Sequence, residues 1–392
     1  AKEGEVTIAN GGDIAKELEA LPADALTPNK LVDLPSLTST LFHHPGITRM
    51  TWANDHTLAV AAPDGIWLYD TNALDSAPIL LSGSACQFYD NSCVTALTIS
   101  DNGEWLAAFL AGHPSSLLLW SLTSLGEPKV LTDYSITSFF AISPNGKSVA
   151  FVGAHDSFRS YDIQIWDVAS GDVNQILNFL DAKSKQVTGL TFRSDGAVVM
   201  AGIQKPVNSP YNLQGEGTIR RFHVSNGEEM DALSVQAPIA FSQDGQTAAT
   251  KGADSLQLWD LSSEAVTSRE FGAPLSPDSN LSHLTFSQDG SKLAATVGLP
   301  SNVFNIEVWD VSTESQLGTL RTRELTAWSP SGRFAVFSDL FTTKDDCWLW
   351  DVTQNERLDT LARRCPFQIT FSPNDRSLAS TNRSLLQLSG LE

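Results

Sequence analysis

The chain has 392 residues, with 45 acidic side chains against 25 Lys and Arg and a formal net charge of −20. That balance argues against nucleic acid, whose binding needs dense cationic contacts to phosphate, and against an anionic membrane surface. A hydrophobic content of 42% excludes global disorder, and 26 Gly and 18 Pro are too few for a collagen-like or low-complexity chain. No apolar run approaches the roughly 18 residues that a membrane-spanning helix requires.

In chain order, the sequence opens at Ala1 without Met or an apolar leader, which reads as a mature exported form or a trimmed chain. Residues 1–28 form an extension in which Asp13 caps a short helix carrying Ile14, Leu18 and Leu21 on one face. This helix is expected to pack on the rim of the domain that follows, with binding to a partner as the alternative. Residues 31–36 read as a polar strand, after which one pattern repeats to the end. An apolar anchor is followed by Ser or its substitute and then by an x-Asp/Asn-Gly turn, as in Ile99-Ser100-Asp101-Asn102-Gly103 and Phe286-Ser287-Gln288-Asp289-Gly290. The anchors are Trp52, Ile99, Ile142, Phe192, Phe241, Phe286, Trp328 and Phe371. Their spacing of about 42–50 residues is that of a repeat architecture.

Inside one repeat, Asp-Gly and Asn-Gly supply the positive φ that a tight antiparallel turn demands. A second strand follows, then a third that alternates and ends in an aromatic plus a small polar residue. Examples are Ile163-Gln164-Ile165-Trp166-Asp167, Leu256-Gln257-Leu258-Trp259-Asp260, Ile306-Glu307-Val308-Trp309-Asp310 and Trp348-Leu349-Trp350-Asp351. Trp120, Trp166, Trp259, Trp309 and Trp350 share this phase, as wedges filling the gap between neighbouring sheets would. A more polar fourth strand, such as 128–132 or 357–361, completes the unit.

With its Trp-Asp endings, Ser-x-Asp-Gly turns and period, the chain resembles the WD-repeat β-propeller family, in a divergent bacterial-type form, over roughly residues 30–390. The resemblance implies an all-β fold: an eight-bladed β-propeller of four-stranded antiparallel blades over residues 29–392. The last blade is closed by an N-terminal strand, residues 31–36, which removes an exposed sheet edge. A seven-bladed ring with a stray repeat is the alternative. The Gly-His pair that opens a typical WD repeat is missing, so the family's buried His/Asp network is not expected and packing must hold the blades together.

In such a ring, the loops between second and third strands share one end with the connections between blades, and the longest insertions fall there, at 153–161, 205–217, 298–305 and 339–346. Loops on a rigid scaffold are where binding resides. The fold implies the pairings Cys86–Cys93 and Cys347–Cys365, each pinning a loop at that end and stabilising by about 2–4 kcal/mol. Disulfides point to a secreted, periplasmic or cell-surface protein, and free thiols are the alternative. Arg321, Arg323, Arg363 and Arg364 lie in consecutive connections, a basic patch on an acidic protein suited to a carboxylate-rich partner or anionic glycan; pairing with acids such as Glu324 is the alternative. Phe88, Tyr89, Phe158, Tyr161, Tyr211 and Phe341 in the same loops are candidate anchors.

No Gly-x-Ser-x-Gly elbow, phosphate loop or His-Glu-x-x-His helix is present. The seven histidines are scattered, Asp345-Asp346 lacks calcium-loop spacing, and no metal or cofactor is expected. The reading is a non-enzymatic protein-interaction scaffold that binds a protein partner through the inserted-loop end. A propeller hydrolase or lyase acting on a peptide, lactone or glycan in the central channel is the alternative. Against it stand inner strands, such as 94–99 and 187–192, of mainly apolar and small residues.

Overall fold

The structure, a computed structural model, describes residues 39–43, 47–63, 65–73, 76–81, 94–111, 115–133, 136–155, 160–181, 186–204, 215–272, 274, 280–299, 303–322, 324–338, 347–362, 366, 368–381 and 385–391. Every regular element in them is a β-strand. The first is β1 (Ser39–His43), after which the chain lays down antiparallel meanders. The first sheet holds β2 (Arg49–Trp52), β3 (Thr57–Ala62), β4 (Gly65–Asp70) and β5 (Ile79–Leu81). The second holds β6 (Val94–Ile99), β7 (Trp105–Leu110), β8 (Ser115–Ser121) and β9 (Lys129–Asp133), and the third β10 (Ile136–Ile142), β11 (Ser148–His155), β12 (Ser160–Asp167) and β13 (Val173–Asp181).

Seven strands then form one long sheet: β14 (Gln186–Phe192), β15 (Val198–Gln204), β16 (Gly215–His223), β17 (Glu229–Phe241), β18 (Thr247–Lys251), β19 (Leu256–Asp260) and β20 (Thr267–Phe271). Two further four-stranded sheets follow, β21 (Asn280–Phe286), β22 (Lys292–Leu299), β23 (Val303–Asp310) and β24 (Gln316–Leu320), then β25 (Glu324–Trp328), β26 (Phe334–Ser338), β27 (Cys347–Asp351) and β28 (Glu356–Ala362). The closing sheet is β29 (Gln368–Phe371), β30 (Ser377–Thr381) and β31 (Leu385–Gly390), with β1 as its outermost strand.

The latch expected at the N-terminus is present, but the strand that makes it is 39–43 and not 31–36. β1 pairs with β31 from Ser39↔Ser389 to His43↔Leu385, so a strand from one end of the chain completes the sheet built by the other. Ring closure also shows on the inner strands: β2 lies against β6 on one side and β29 on the other. There the Trp52 indole N–H donates to the Thr370 carbonyl at 3.3 Å.

The repeated turn has a physical explanation. Ser100, Ser143, Ser242, Ser287, Ser329 and Ser372 are buried, and each hydroxyl accepts the backbone N–H five residues on at 2.9–3.0 Å. Five of them also donate to the Asn or Asp two residues on, at 2.6–2.9 Å. The Gly that follows has φ of 62–70° in six repeats, and Asp375 takes that place in the last at 59°. These hydroxyls cap turns, so none of them is poised as a nucleophile. In the Trp-Asp endings the carboxylate does similar work: Asp310 accepts the Ser312 and Thr313 amides, and Asp351 those of Thr353 and Gln354.

Packing alone was expected to hold neighbouring sheets together, but the structure adds polar latches. From the fourth strand, a long side chain reaches the turn between third and fourth strands of the next sheet. Lys129 donates to the Val168 and Ala169 carbonyls, Gln175 to that of Ser225, and Arg269 to that of Val311 while pairing with Glu314. At the equivalent junction Arg221, only 1% exposed, donates to the Ser263 and Glu264 carbonyls at 2.7 Å and is held by Asp231. A buried cation is tolerable only when its donors are this fully engaged.

Candidate functional site at the β17 junction

One junction departs from the repeat. β17 is 13 residues long and serves two meanders: Glu229–Ala237 pairs with β16, and Gln236–Phe241 with β18. The register shifts between Gln236 and Ile239, around Pro238, which has no N–H to give the ladder. No connection therefore separates the fourth strand of one meander from the first strand of the next.

The wedge at this junction is unlike the others. Trp120, Trp166, Trp309 and Trp350 are each 1% exposed, whereas Trp259 is only half-buried. The cause lies in the preceding meander. Elsewhere the residue just before the third-strand aromatic is apolar, and it packs on the wedge of the next sheet: Leu68 beside Trp120, Leu119 beside Trp166, Leu258 beside Trp309, Val308 beside Trp350. Here that residue is Arg221, turned into its ion pair with Asp231. In the fourth strand, the partly buried Leu233 stands where Phe271 closes the junction at Trp309, Phe271 and Trp309 meeting edge-on at 6.4 Å.

A cavity of about 850 Å³ remains between the two meanders. The Trp259 ring lines it, its indole N–H donating to Thr250 Oγ1 at 2.9 Å. Gln204, Glu216, Ser234, Gln236 and Lys251 contribute polar groups. Gln204 and Lys251 end their strands where the loops between second and third strands begin, so the cleft opens at the loop-bearing end of the ring. An aromatic face amid side-chain amides, a carboxylate and an ammonium offers both stacking and hydrogen-bonding groups to whatever enters the cleft.

The sequence-derived site residues are only sparsely described. Arg321 is exposed, beside the fully buried Thr322, and is engaged in an interaction of its own. Arg323, Arg363, Arg364, Phe88, Tyr89, Phe158, Tyr211, Phe341, Asp345 and Asp346 lie outside the described residues, as do Cys86, Cys93 and Cys365. Cys347, at the start of β27, is fully buried and disulfide-bonded. A smaller cavity of about 410 Å³ between β21–β23 and β25 places His283 near Ser282, Thr285 and Thr296, with no carboxylate among its lining residues. Among the described residues, no group of three or more His, Cys, Asp or Glu is placed to hold a metal ion, and no helix is long and apolar enough to cross a membrane.

The opposite end of the central channel is crossed by a hydrogen bond. Gln243 Nε2 donates to Asp101 Oδ1 at 2.8 Å, although the third sheet and the meander β14–β17 stand between their turns on the ring. The first-to-second-strand turns thus converge on the axis.

No family model matches the sequence, and no curated protein matches it. Among solved structures, the C-terminal WD40 domain of Sif2 is similar, with a TM-score of 0.61 and 11% identity over 93% of this chain and 99% of that one. Oligogalacturonate lyase in complex with manganese is similar at a TM-score of 0.56 and 13% identity, over 93% of this chain and 96% of that one. A chain of the mitotic checkpoint complex matches at 0.50 and 14% identity, over 95% and 98%. At such identities the likeness carries the fold and no activity: the chain is a β-propeller of four-stranded antiparallel blades, similar in structure to WD40 domains.

Proposed function

We propose that this chain is a protein-interaction scaffold of the WD-repeat type that docks a protein partner on the loop-bearing end of its ring. The observation that carries this reading is the β17 cleft. At one junction the repeat gives up a sealed wedge, and it leaves a partly exposed tryptophan among polar groups on the end where the insertions gather. Counting each half of β17 as a strand of its own makes the ring eight-bladed over residues 29–392, with 1–28 as an extension. Arg321, Arg323, Arg363 and Arg364 form the charged part of the docking surface, with Phe88, Tyr89, Tyr211 and Phe341 as its anchors. Cys347 pairs with Cys365 and Cys86 with Cys93, and the protein is exported; the bonded state of Cys347 supports this. Mass spectrometry of unreduced peptides reads out both pairings.

Channel chemistry has less support: the Asp101–Gln243 hydrogen bond spans one mouth, and the His283 cavity has no carboxylate lining it. The test is capture of partners from the native source by the immobilised full chain. Replacing the four arginines by Ala, or Trp259 by Ala, should weaken capture of a stoichiometric partner while leaving the melting temperature of the arginine variant unchanged. Undiminished capture by both variants rejects the docking surface, and turnover of a hydrolase or lyase substrate by the intact ring rejects the scaffold reading.

A further inference from the structure

The outer strands of the ring are not alike. Residues at one ladder position, opposite the third strand, are Leu80 across from Trp67, Val130 across from Leu118 and Ile176 across from Gln164 in the first three sheets. They are 47%, 56% and 55% exposed, and Ile79 beside Leu80 is 50% exposed. At the same position the later meanders carry Ala232, Glu270, Thr319 and Thr360. Large aliphatic side chains at a repeated position on three consecutive sheets, absent from the next four, form a band and not a scatter, and such bands mark contact surfaces. β5, β9 and β13 are also edge strands, the class of element that natural proteins cover or charge.

The chain supplies a cover. Thirty-eight residues precede Ser39, and they enter the ring through β1, the outermost strand of the closing sheet, whose inner strand β29 contacts β2 of the first sheet. The entry point is therefore on the rim beside β5. From Leu21 to Ser39 the chain can span about 60 Å when extended, ample for reaching β9. Ile14, Leu18 and Leu21 fall on one face of a helix, and Asp13, Lys16, Glu17 and Glu19 complete it as a polar surface. We propose that residues 13–21 form an amphipathic helix that lies on the rim of the first two sheets, its apolar face covering Ile79, Leu80 and Val130. The partner of this surface is thus the chain's own N-terminal segment. The proposal is independent of the docking surface at the loop-bearing end.

Hydrogen exchange on the full chain tests it. In Leu18→Asp, amides of peptides covering 76–81 and 128–131 should exchange at least about tenfold faster than in the wild type, with those of β20 and β24 unchanged. Trypsin should cleave after Lys16 faster in the double variant Leu80→Ser/Val130→Ser than in the wild type. Identical exchange at both rim peptides in Leu18→Asp overturns the proposal. So does a dimer, seen by light scattering, that persists in Leu18→Asp and dissociates in Leu80→Ser/Val130→Ser, because the band would then belong to a second copy.

Discussion

The junctions at Trp309 and Trp259 occupy the same place in the repeat and are built from opposite materials. Trp309 is driven between Ala249, Leu258 and Phe271 of the preceding meander and is sealed from solvent. Trp259 meets a meander whose corresponding positions hold Arg221 and Leu233, and it stays partly exposed beside a cleft. Both meanders are four-stranded and antiparallel. A blade can therefore keep its four strands while its interface changes from a sealed apolar core to a partly open cleft, with an arginine in place of an apolar side chain.

The largest effect should come from removing the sealed wedge. Trp309→Ala should cost about 3–5 kcal/mol of unfolding free energy, the range for deleting a buried aromatic and leaving a cavity. Trp259→Ala should cost less, about 1–2 kcal/mol, since part of its surface is already in water. Equilibrium denaturation of the two variants measures the contrast directly, and equal losses would break it. The indole N–H of Trp309 is buried with no hydrogen-bond partner among the described residues, so Trp309→Phe should keep most of the stability that Trp309→Ala loses.

A second measurement asks whether Arg221 is what keeps the cleft polar. Arg221→Ala strands the Asp231 carboxylate, about a third exposed, and should cost about 2–4 kcal/mol, somewhat under the usual range for breaking a buried pair. Arg221→Leu/Asp231→Leu replaces the pair by apolar packing against Trp259, and should fall within about 1 kcal/mol of the wild type or above it. Trp259 fluorescence should shift to the blue in that variant as the ring is sealed. An unshifted spectrum with restored stability would mean that the cleft does not depend on the arginine.

Most of the ring was legible in the sequence because its signals are local. A Ser hydroxyl, an Asx side chain and a Gly within six residues specify the turn, and an aromatic at fixed phase specifies the wedge. Residues 31–36 read as the closing strand because polar alternation there resembles a fourth strand; the strand that pairs with β31 is 39–43, and nothing in a five-residue segment announces a partner about 345 residues away. The β17 junction was also missed, though a signal exists. Ile219-Arg220-Arg221-Phe222 breaks the apolar alternation of Leu256-Gln257-Leu258-Trp259, and 229–241 holds no Gly or Asn of the kind that turns the chain elsewhere. The polar latches went unread because Lys129, Gln175 and Arg269 look like ordinary surface residues until the next sheet's carbonyls are set beside them.

The smallest expected effects separate two carboxylates on β23 near the sealed wedge. Asp310 is held well below the usual carboxylate range by the Lys292 ammonium at 2.8 Å, then by the Ser312 hydroxyl and the Thr313 amide. Its folded value is depressed, so its contribution is present above the unfolded value near pH 4 and is lost as pH falls through the lower folded one. Glu307, three residues earlier, is pushed up by burial, so what it contributes is complete below its unfolded value and is lost as pH rises through the folded one. At pH 7 Glu307→Gln should therefore raise the melting temperature slightly, while Asp310→Asn should lower stability by about 0.5–1 kcal/mol, a modest figure because the Lys292 pair is only partly shielded from solvent. At pH 3 the Glu307→Gln gain should vanish and the Asp310→Asn loss should shrink more slowly. Two variants with parallel pH profiles would show that both carboxylates answer to the same solvent, and that the sealed junction imposes no difference between them.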